Sequence, residues 1–267
     1  MRMNVNKLFD LSGKVIILTG AAGNLGLQYV EGLSQAGANV VLGDLNYSEC
    51  AQIAKRIKKT YDVDPEPIKL DLTKPASISN LVSKTIKKYS RVDVLINNAA
   101  YQGNDVIRKT PFEDLSLADW NEALSINLTG IFLACQEAGK IMKKQKQGNI
   151  INIGSTYGLV APDQRIYGNS GQNAASFYSA TKSAIIHLTR YLASYWANTG
   201  IRVNTLTPGG VRRNQTQSFI KNYSYKTMLG RMAKKDEYVG AMIFLASDAS
   251  SYMTGSNLII DGGWTAW

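Results

Sequence analysis

The sequence predicts an α/β fold built on a doubly wound parallel sheet, and two observations carry that prediction. The first is the apolar run Val15-Ile16-Ile17-Leu18-Thr19, followed at once by the turn Gly20-Ala21-Ala22-Gly23-Asn24-Leu25-Gly26. Four consecutive β-branched or leucyl residues suit a strand covered on both faces. Gly20, Gly23 and Gly26 let the backbone turn tightly and let a pyrophosphate approach the next helix, whose N-terminal N–H groups and dipole favour an anion. The second is an alternation of strand-like and helix-like segments at the spacing of βαβ units, which implies right-handed crossovers. A glycine triplet also occurs in ordinary strand-to-helix turns, so the later motifs decide its meaning.

The elements follow in order. A helix near 24–36 closes at Gly37, and Asn39-Val40-Val41-Leu42-Gly43-Asp44 is the second strand. Asp44 stands 18 positions after Gly26 (44 − 26), close to the spacing at which an acidic residue meets the adenosine ribose hydroxyls; capping the segment from Tyr47 is the alternative. A helix near 47–60, a strand ending Ile68-Lys69-Leu70-Asp71 and a helix near 75–89 come next. Val92 to Ala100 is a strand running into a small-residue loop. A helix-like run spans Leu117 to Lys144, a strand covers Asn149 to Gly154, and an Ala-rich helix carries Tyr178 and Lys182.

Composition narrows the class. With 267 residues, 45% hydrophobic content and no long Pro/Gly/Ser linker, the chain is expected to be one domain over 1–267. Cys50 and Cys135 lie 85 positions apart (135 − 50) with no CxxC or Cys/His spacing, so neither a disulfide framework nor a metal site is expected. The N-terminus lacks the apolar core of a signal peptide and no stretch reaches the roughly 18 apolar residues of a membrane span, so a cytoplasmic protein is expected. The net charge of +10 raises nucleic acid as a partner. Its lysine clusters at 55–59, 84–88 and 140–146 sit toward helix ends, where cations complement the dipole, so neither nucleic acid nor membrane is expected as a partner.

Thr19-Gly20-Ala21-Ala22-Gly23-Asn24-Leu25-Gly26, Asn97-Asn98-Ala99-Ala100, Asn127-Leu128-Thr129-Gly130, Ser155, Tyr178-Ser179-Ala180-Thr181-Lys182 and Pro208-Gly209 occur in that order. In this the chain resembles the short-chain dehydrogenase/reductase family over nearly its whole length. More loosely, it is similar to oxidoreductases of flagellin-modification and nonulosonate sugar pathways. The resemblance implies a Rossmann-type sheet of about seven strands, a nicotinamide cofactor and a homotetramer or homodimer. It places cofactor contacts at Gly20, Gly23, Asn24, Leu25, Gly26, Asp44, Leu45, Asp71, Leu72, Asn98, Ala99, Ala100, Tyr178, Lys182, Pro208, Gly209 and Val211. The family's usual middle glycine is Asn24 here; asparagine tolerates left-handed backbone, so the turn is expected to survive. Asp44 disfavours a 2′-phosphate, and Gly23 stands where NADP-preferring relatives often carry a cation, so NAD is expected over NADP.

The chemistry can be weighed on the residues themselves. Tyr178 and Lys182 are four apart and share one helix face. Hydride transfer at a carbinol carbon needs a proton acceptor or donor on the oxygen, and a phenol with a pKa of about 10 needs help to serve at neutral pH. Lys182 is expected to lower it. Ser155, at the carboxyl end of its strand, would hold the substrate oxygen; a turn-forming serine is the alternative. The resemblance puts Asn127 in a proton relay, its backbone holding a water that links Lys182 to solvent. His187, the sole histidine, falls off the Tyr178–Lys182 face and is expected to be a core or subunit-contact residue.

Two regions are expected to select the substrate. Ser155 and Tyr178 are 23 positions apart (178 − 155), longer than the family's usual gap, so 161–173 looks like an insertion beside the site, and a polar one. Residues 209–235 resemble the family's mobile lid. The expected substrate-binding residues are Ser155, Tyr157, Arg165, Arg212 and Arg213, with Thr216 as a substitute phosphate contact; the alternative for the arginines is a solvated lid or contact with the cofactor pyrophosphate. Together these give an NAD(P)-dependent alcohol dehydrogenase or ketoreductase acting on a small polar, anionic molecule such as a sugar, a sugar phosphate or a nucleotide-linked sugar. A 3-oxoacyl-thioester reductase, or a non-catalytic cofactor-binding regulator, are the alternatives.

Overall fold

The computed structural model describes residues 4–267, so Met1, Arg2 and Met3 of the N-terminal stretch lie outside the described residues. The first half runs α1 (Val5–Leu8), β1 (Val15–Thr19), α2 (Asn24–Gln35), β2 (Asn39–Asp44), α3 (Tyr47–Thr60), β3 (Glu66–Lys69), α4 (Pro75–Tyr89) and β4 (Val94–Asn97). The second runs α5 (Leu117–Leu124), α6 (Gly130–Gln145), β5 (Gly148–Ile153), α7 (Ser176–Tyr195), β6 (Ile201–Pro208), α8 (Gln217–Tyr225), α9 (Val239–Ala246) and β7 (Asn257–Ile260). The strands form one sheet in the order β3-β2-β1-β4-β5-β6-β7, every pairing parallel. This is a Rossmann-type doubly wound sheet: winding reverses between β1 and β4, and a crevice opens there at the strands' carboxyl ends.

Alternation along β1 divides the core. Ile16 and Leu18 face a layer formed by Tyr29, Val30 and Leu33 of α2, Ile53 and Ile57 of α3, and Met242 and Leu245 of α9. Val15 and Ile17 face Ile78 and Leu81 of α4, Ala134 and Met142 of α6, and Ile185 and Leu192 of α7. All five β1 residues are buried, as a strand covered on both faces requires. Among the described residues no helix is long and apolar enough to cross a membrane.

Several sequence expectations need correction. β3 ends at Lys69, not Asp71: Leu70 still donates to the Asp44 carbonyl at 2.8 Å, but the Asp71 N–H turns to Ser77 Oγ at 3.0 Å. The helix-like run 117–144 is two helices joined by a π-helical turn, Ser125–Thr129, a feature often found at functional sites. Asn24 needs no left-handed backbone, because it is the first residue of α2 and Gly23 caps the helix in an extended conformation. His187 is exposed on the outer side of α7, so it is not a core residue.

Buried polar groups pin the sheet. Asp93, 7% exposed, accepts the Val15 N–H at 2.8 Å and Arg91 Nε at 2.9 Å, fixing where β1 begins against β4. Asp93→Ala strands the buried Val15 N–H and is expected to cost about 2 kcal/mol, read as a lower urea midpoint at unchanged slope. A midpoint within error of wild type would remove Asp93 from this role.

Candidate active site at the carboxyl ends of β1, β4, β5 and β6

The glycine turn is compact to the point of excluding side chains. Gly20 has φ +67°, and a Cβ there would lie 2.7 Å from the Ala99 Cα, so the turn after β1 rests directly on the loop after β4. A Cβ on Gly26 would collide with the Gly20 carbonyl oxygen. Asn98 holds the two loops together: its Nδ2 donates to the Thr19 and Gly20 carbonyls at 3.1 and 3.0 Å, and its N–H reaches Thr19 Oγ1 at 3.1 Å. Asp44, at the end of β2, accepts from the Ala22 N–H at 3.0 Å and from Asn46 N at 3.0 Å, so it caps a turn and also faces the glycine loop.

This cradle fits a dinucleotide. The N-terminus of α2 is bared by glycine, and Asn24 Nδ2 is buried without a partner, a donor left for an anion. The other expected cofactor residues differ in what they have free. Leu45 is exposed, whereas Leu72 is buried beneath Gly130. Asp71 accepts from the Thr73 N–H and hydroxyl at 3.0 and 2.6 Å, and those bonds hold its pKa below the ordinary carboxylate value. Pro208 ends β6, Gly209 sits against the Asp261 backbone, and Val211 is buried in a bridge to Ala233.

Tyr178, Ser155 and Lys182 come together where α7 crosses the end of β5. Lys182 is 2% exposed; its Nζ donates to the Ile153 carbonyl at 2.6 Å and stands 5.6 Å from the Tyr178 ring centre. Desolvation brings its pKa down to about 8. Beneath it runs a buried chain of hydrogen bonds: Asn97 Nδ2 to Asn152 Oδ1 at 2.8 Å, Asn152 Nδ2 to Thr189 Oγ1 at 2.9 Å, and Thr205 Oγ1 to Thr189 Oγ1 at 2.9 Å. These tie α7 to β4, β5 and β6. Ser155 is buried and extended, and its Oγ accepts the Tyr157 N–H at 3.2 Å, so the turn-forming role is real and coexists with its place beside Tyr178.

Burial raises the Tyr178 phenol above its ordinary value. The side chains of Ser155 and Gln102 pull it back, followed by the positive charges of Arg213 and Arg108. The expectation that Lys182 brings the phenol toward neutrality is therefore corrected: burial wins, and the opposing groups named here lie on neighbouring loops. Gln102 and Arg108 were missed in the sequence because they sit in a loop without periodicity. Gln102 Nε2 reaches Tyr178 Oη at 3.4 Å. Asn127, within the π-turn, positions that loop by accepting the Tyr101 N–H at 2.6 Å and donating to the Tyr101 carbonyl at 2.8 Å.

The insertion and the lid pack on each other. Ile166 is buried with Tyr223, Met232 and Trp264, Tyr167 tilts against Phe219, and Asp163 pairs with Lys226 at 2.8 Å. The insertion is thus not polar throughout: it turns Ile166 and Tyr167 inward against the lid. Tyr157 lies against this cluster, and burial pushes its phenol well up. Arg165 is turned outward: its side chain is 86% exposed and forks onto Asp163 at 2.8 Å through both Nε and Nη2, so it is removed from the expected substrate set. Thr216 is likewise engaged, capping α8 through the Phe219 N–H at 3.3 Å. Arg213 is exposed, and its charge opposes the burial that raises the Tyr178 phenol. Arg212 is exposed and pairs its backbone N–H with the Ala233 carbonyl at 2.8 Å.

Residues 20–265 match the family model described as Enoyl-(Acyl carrier protein) reductase. The chain is 32% identical over 254 residues to the post-translational flagellin modification protein A of Campylobacter coli, covering 95% of this chain and 99% of that one. A short-chain dehydrogenase from Leptospira borgpetersenii, solved with bound NAD+, superposes with a TM-score of 0.84 at 36% identity, over 99% of this chain and 97% of that one. A gluconate 5-dehydrogenase from Burkholderia cenocepacia, solved with NADP and tartrate, superposes with a TM-score of 0.89 at 29% identity, over 99% of this chain and all of that one.

Proposed function

The chain belongs to the short-chain dehydrogenase/reductase family of NAD(P)-dependent oxidoreductases, and we propose that it interconverts a secondary alcohol and a ketone on a small, polyhydroxylated substrate, with NAD preferred. The observation that carries this reading is the juxtaposition of Tyr178 Oη with Gln102 and Ser155 at the end of β5, above buried Lys182. In reduction the Tyr178 phenol gives its proton to the ketone oxygen; in oxidation its phenolate, formed when its own proton leaves toward solvent by way of Lys182 and Asn127, takes the alcohol proton. Ser155 Oγ donates to the substrate oxygen and fixes the carbon it carries. Lys182 holds a positive charge under the phenol, and Asn127 links that charge to solvent through the π-turn. When bound, the dinucleotide supplies the hydride acceptor or donor. Gly20, Gly23, Asn24 and Gly26 would hold its pyrophosphate, and Asp44 its adenosine ribose. The polar substrate is supported by Gln102, Tyr157, Tyr167 and Arg213 around Tyr178, and by the absorption of Phe219 and Ile220 into the packing between the lid and the insertion.

Tyr178→Phe removes one oxygen and is expected to lower kcat about 10²- to 10⁴-fold while NAD binding and melting temperature persist. A panel of alditols, sugars and a 3-oxoacyl thioester provides the substrates. Near-normal kcat in the folded variant refutes the role, and turnover confined to the thioester replaces the substrate class. For the cofactor, kcat/KM with NADH is expected to exceed that with NADPH, and Asp44→Ser to narrow the ratio at least tenfold, because a carboxylate facing a phosphate costs several kcal/mol. A wild-type preference for NADPH would sink this assignment.

A further inference from the structure

We propose that Arg108 and Arg213 form an anion clamp across the Ser155–Tyr178 site, making Arg108 a specificity-determining residue for a carboxylate- or phosphate-bearing sugar derivative. The inference rests on the oxidoreductase function proposed for the same site. Strand order sets the geometry. β4, β5 and β6 are neighbours, Ser155 follows β5, Arg108 lies in the loop after β4 and Arg213 in the loop after β6, so the loops that carry the two cations lie on opposite sides of the one that carries the serine.

Arg108 is held in place by its backbone, which leaves its head free. It sits in the 3₁₀ turn Ile107–Lys109, its N–H on the Asn104 carbonyl at 3.0 Å. The insertion grips this turn through Asn173, whose N–H donates to the Arg108 carbonyl at 2.7 Å and whose Nδ2 donates to the Thr110 carbonyl at 2.8 Å. Ile107, 5% exposed, packs with Phe177, the residue before Tyr178. The turn is thus anchored to the substrate side of α7. The charge of Arg108 also opposes the burial that raises the Tyr167 and Tyr178 phenols.

The guanidiniums carry the recognition. Arg91, Arg165 and Arg231 each fork onto a carboxylate, of Asp93, Asp163 and Glu237 respectively. Among the described residues, neither Arg108 nor Arg213 has a hydrogen-bond or ion-pair partner for its side chain; Arg108 is half-buried and Arg213 is exposed. The planar fork of half-buried Arg108 matches carboxylate or phosphate oxygens, and gains more from them than from neutral hydroxyls.

The test is calorimetric binding to the NAD-saturated protein of tartrate, of inorganic phosphate and of neutral threitol, with Arg108→Gln and Arg108→Lys compared at equal melting temperature. Wild type is expected to bind at least one anion more tightly than threitol. Arg108→Gln should weaken that anion about 10- to 100-fold, with partial recovery in Arg108→Lys, which keeps charge but loses the fork. Whether tartrate or phosphate responds tells carboxylate from phosphate. Absence of anion binding in wild type, or an unchanged affinity in Arg108→Gln, overturns the clamp. Tyr178-dependent turnover of neutral alditols alongside either outcome leaves the oxidoreductase function standing and the clamp rejected.

Discussion

The catalytic end of the molecule depends on one buried cation, the Lys182 ammonium seated on the Ile153 carbonyl. That bond joins the middle of α7 to the last residue of β5, two positions before Ser155, so it sets how Tyr178 and Ser155 face each other. The arrangement is costly. Because the folded chain binds this proton at a pKa of about 8 against 10.5 for an ordinary lysine, the unfolded chain holds it more tightly. The penalty is therefore full below pH 8, on the order of 3 kcal/mol, and fades as the pH rises from about 8 to 10.5. A neutral residue of the same length would spare the fold that cost, which identifies Lys182 as a residue kept for what its charge does.

Around this anchor, close approach and buried hydrogen bonds replace free loop motion. Gly20 lies on Ala99, Asn98 bonds back to β1, and Asn127 bonds both backbone groups of Tyr101, so the loop after β4 is tied to the glycine turn on one side and to the π-turn on the other. Gln102 and Arg108 inherit their positions from those ties. The glycine cradle and the Tyr178 site are consequently parts of one framework. On the far side, the Asp163–Lys226 pair and the Ile166–Tyr223–Trp264 cluster join the insertion to the lid, so any movement of one carries the other.

Much of this was legible locally. The bounds of α3 and α4 match their sequence expectations because their starts are written in single residues, Asn46 capping the Glu49 N–H at 3.2 Å and Pro75 occupying the first turn. β1 and β2 announce themselves as apolar runs, and Tyr178 and Lys182 by their spacing. What stayed hidden depends on tertiary partners. The end of β3 is set by Ser77, which takes the Asp71 N–H; the π-turn lies inside the continuous helix-like run 117–144; and Ile166 and Tyr167 look like stray apolar residues in a polar loop until α8 covers them. Arg165 and Arg108 show the same limit in opposite senses. Sequence proximity to the site favoured the first, which Asp163 engages, while only the folding of the 101–110 loop onto Phe177 brings in the second.

The most direct test is the titration of Lys182 by heteronuclear NMR of its Cε and Nζ, assigned by comparison with Lys182→Met. A midpoint near pH 8 is expected of an ammonium sealed between α7 and β5. A midpoint at the ordinary lysine value near 10.5 would mean that Nζ reaches water, that the bond to the Ile153 carbonyl does not hold α7 in place, and that the geometry of Tyr178 and Ser155 must have another origin.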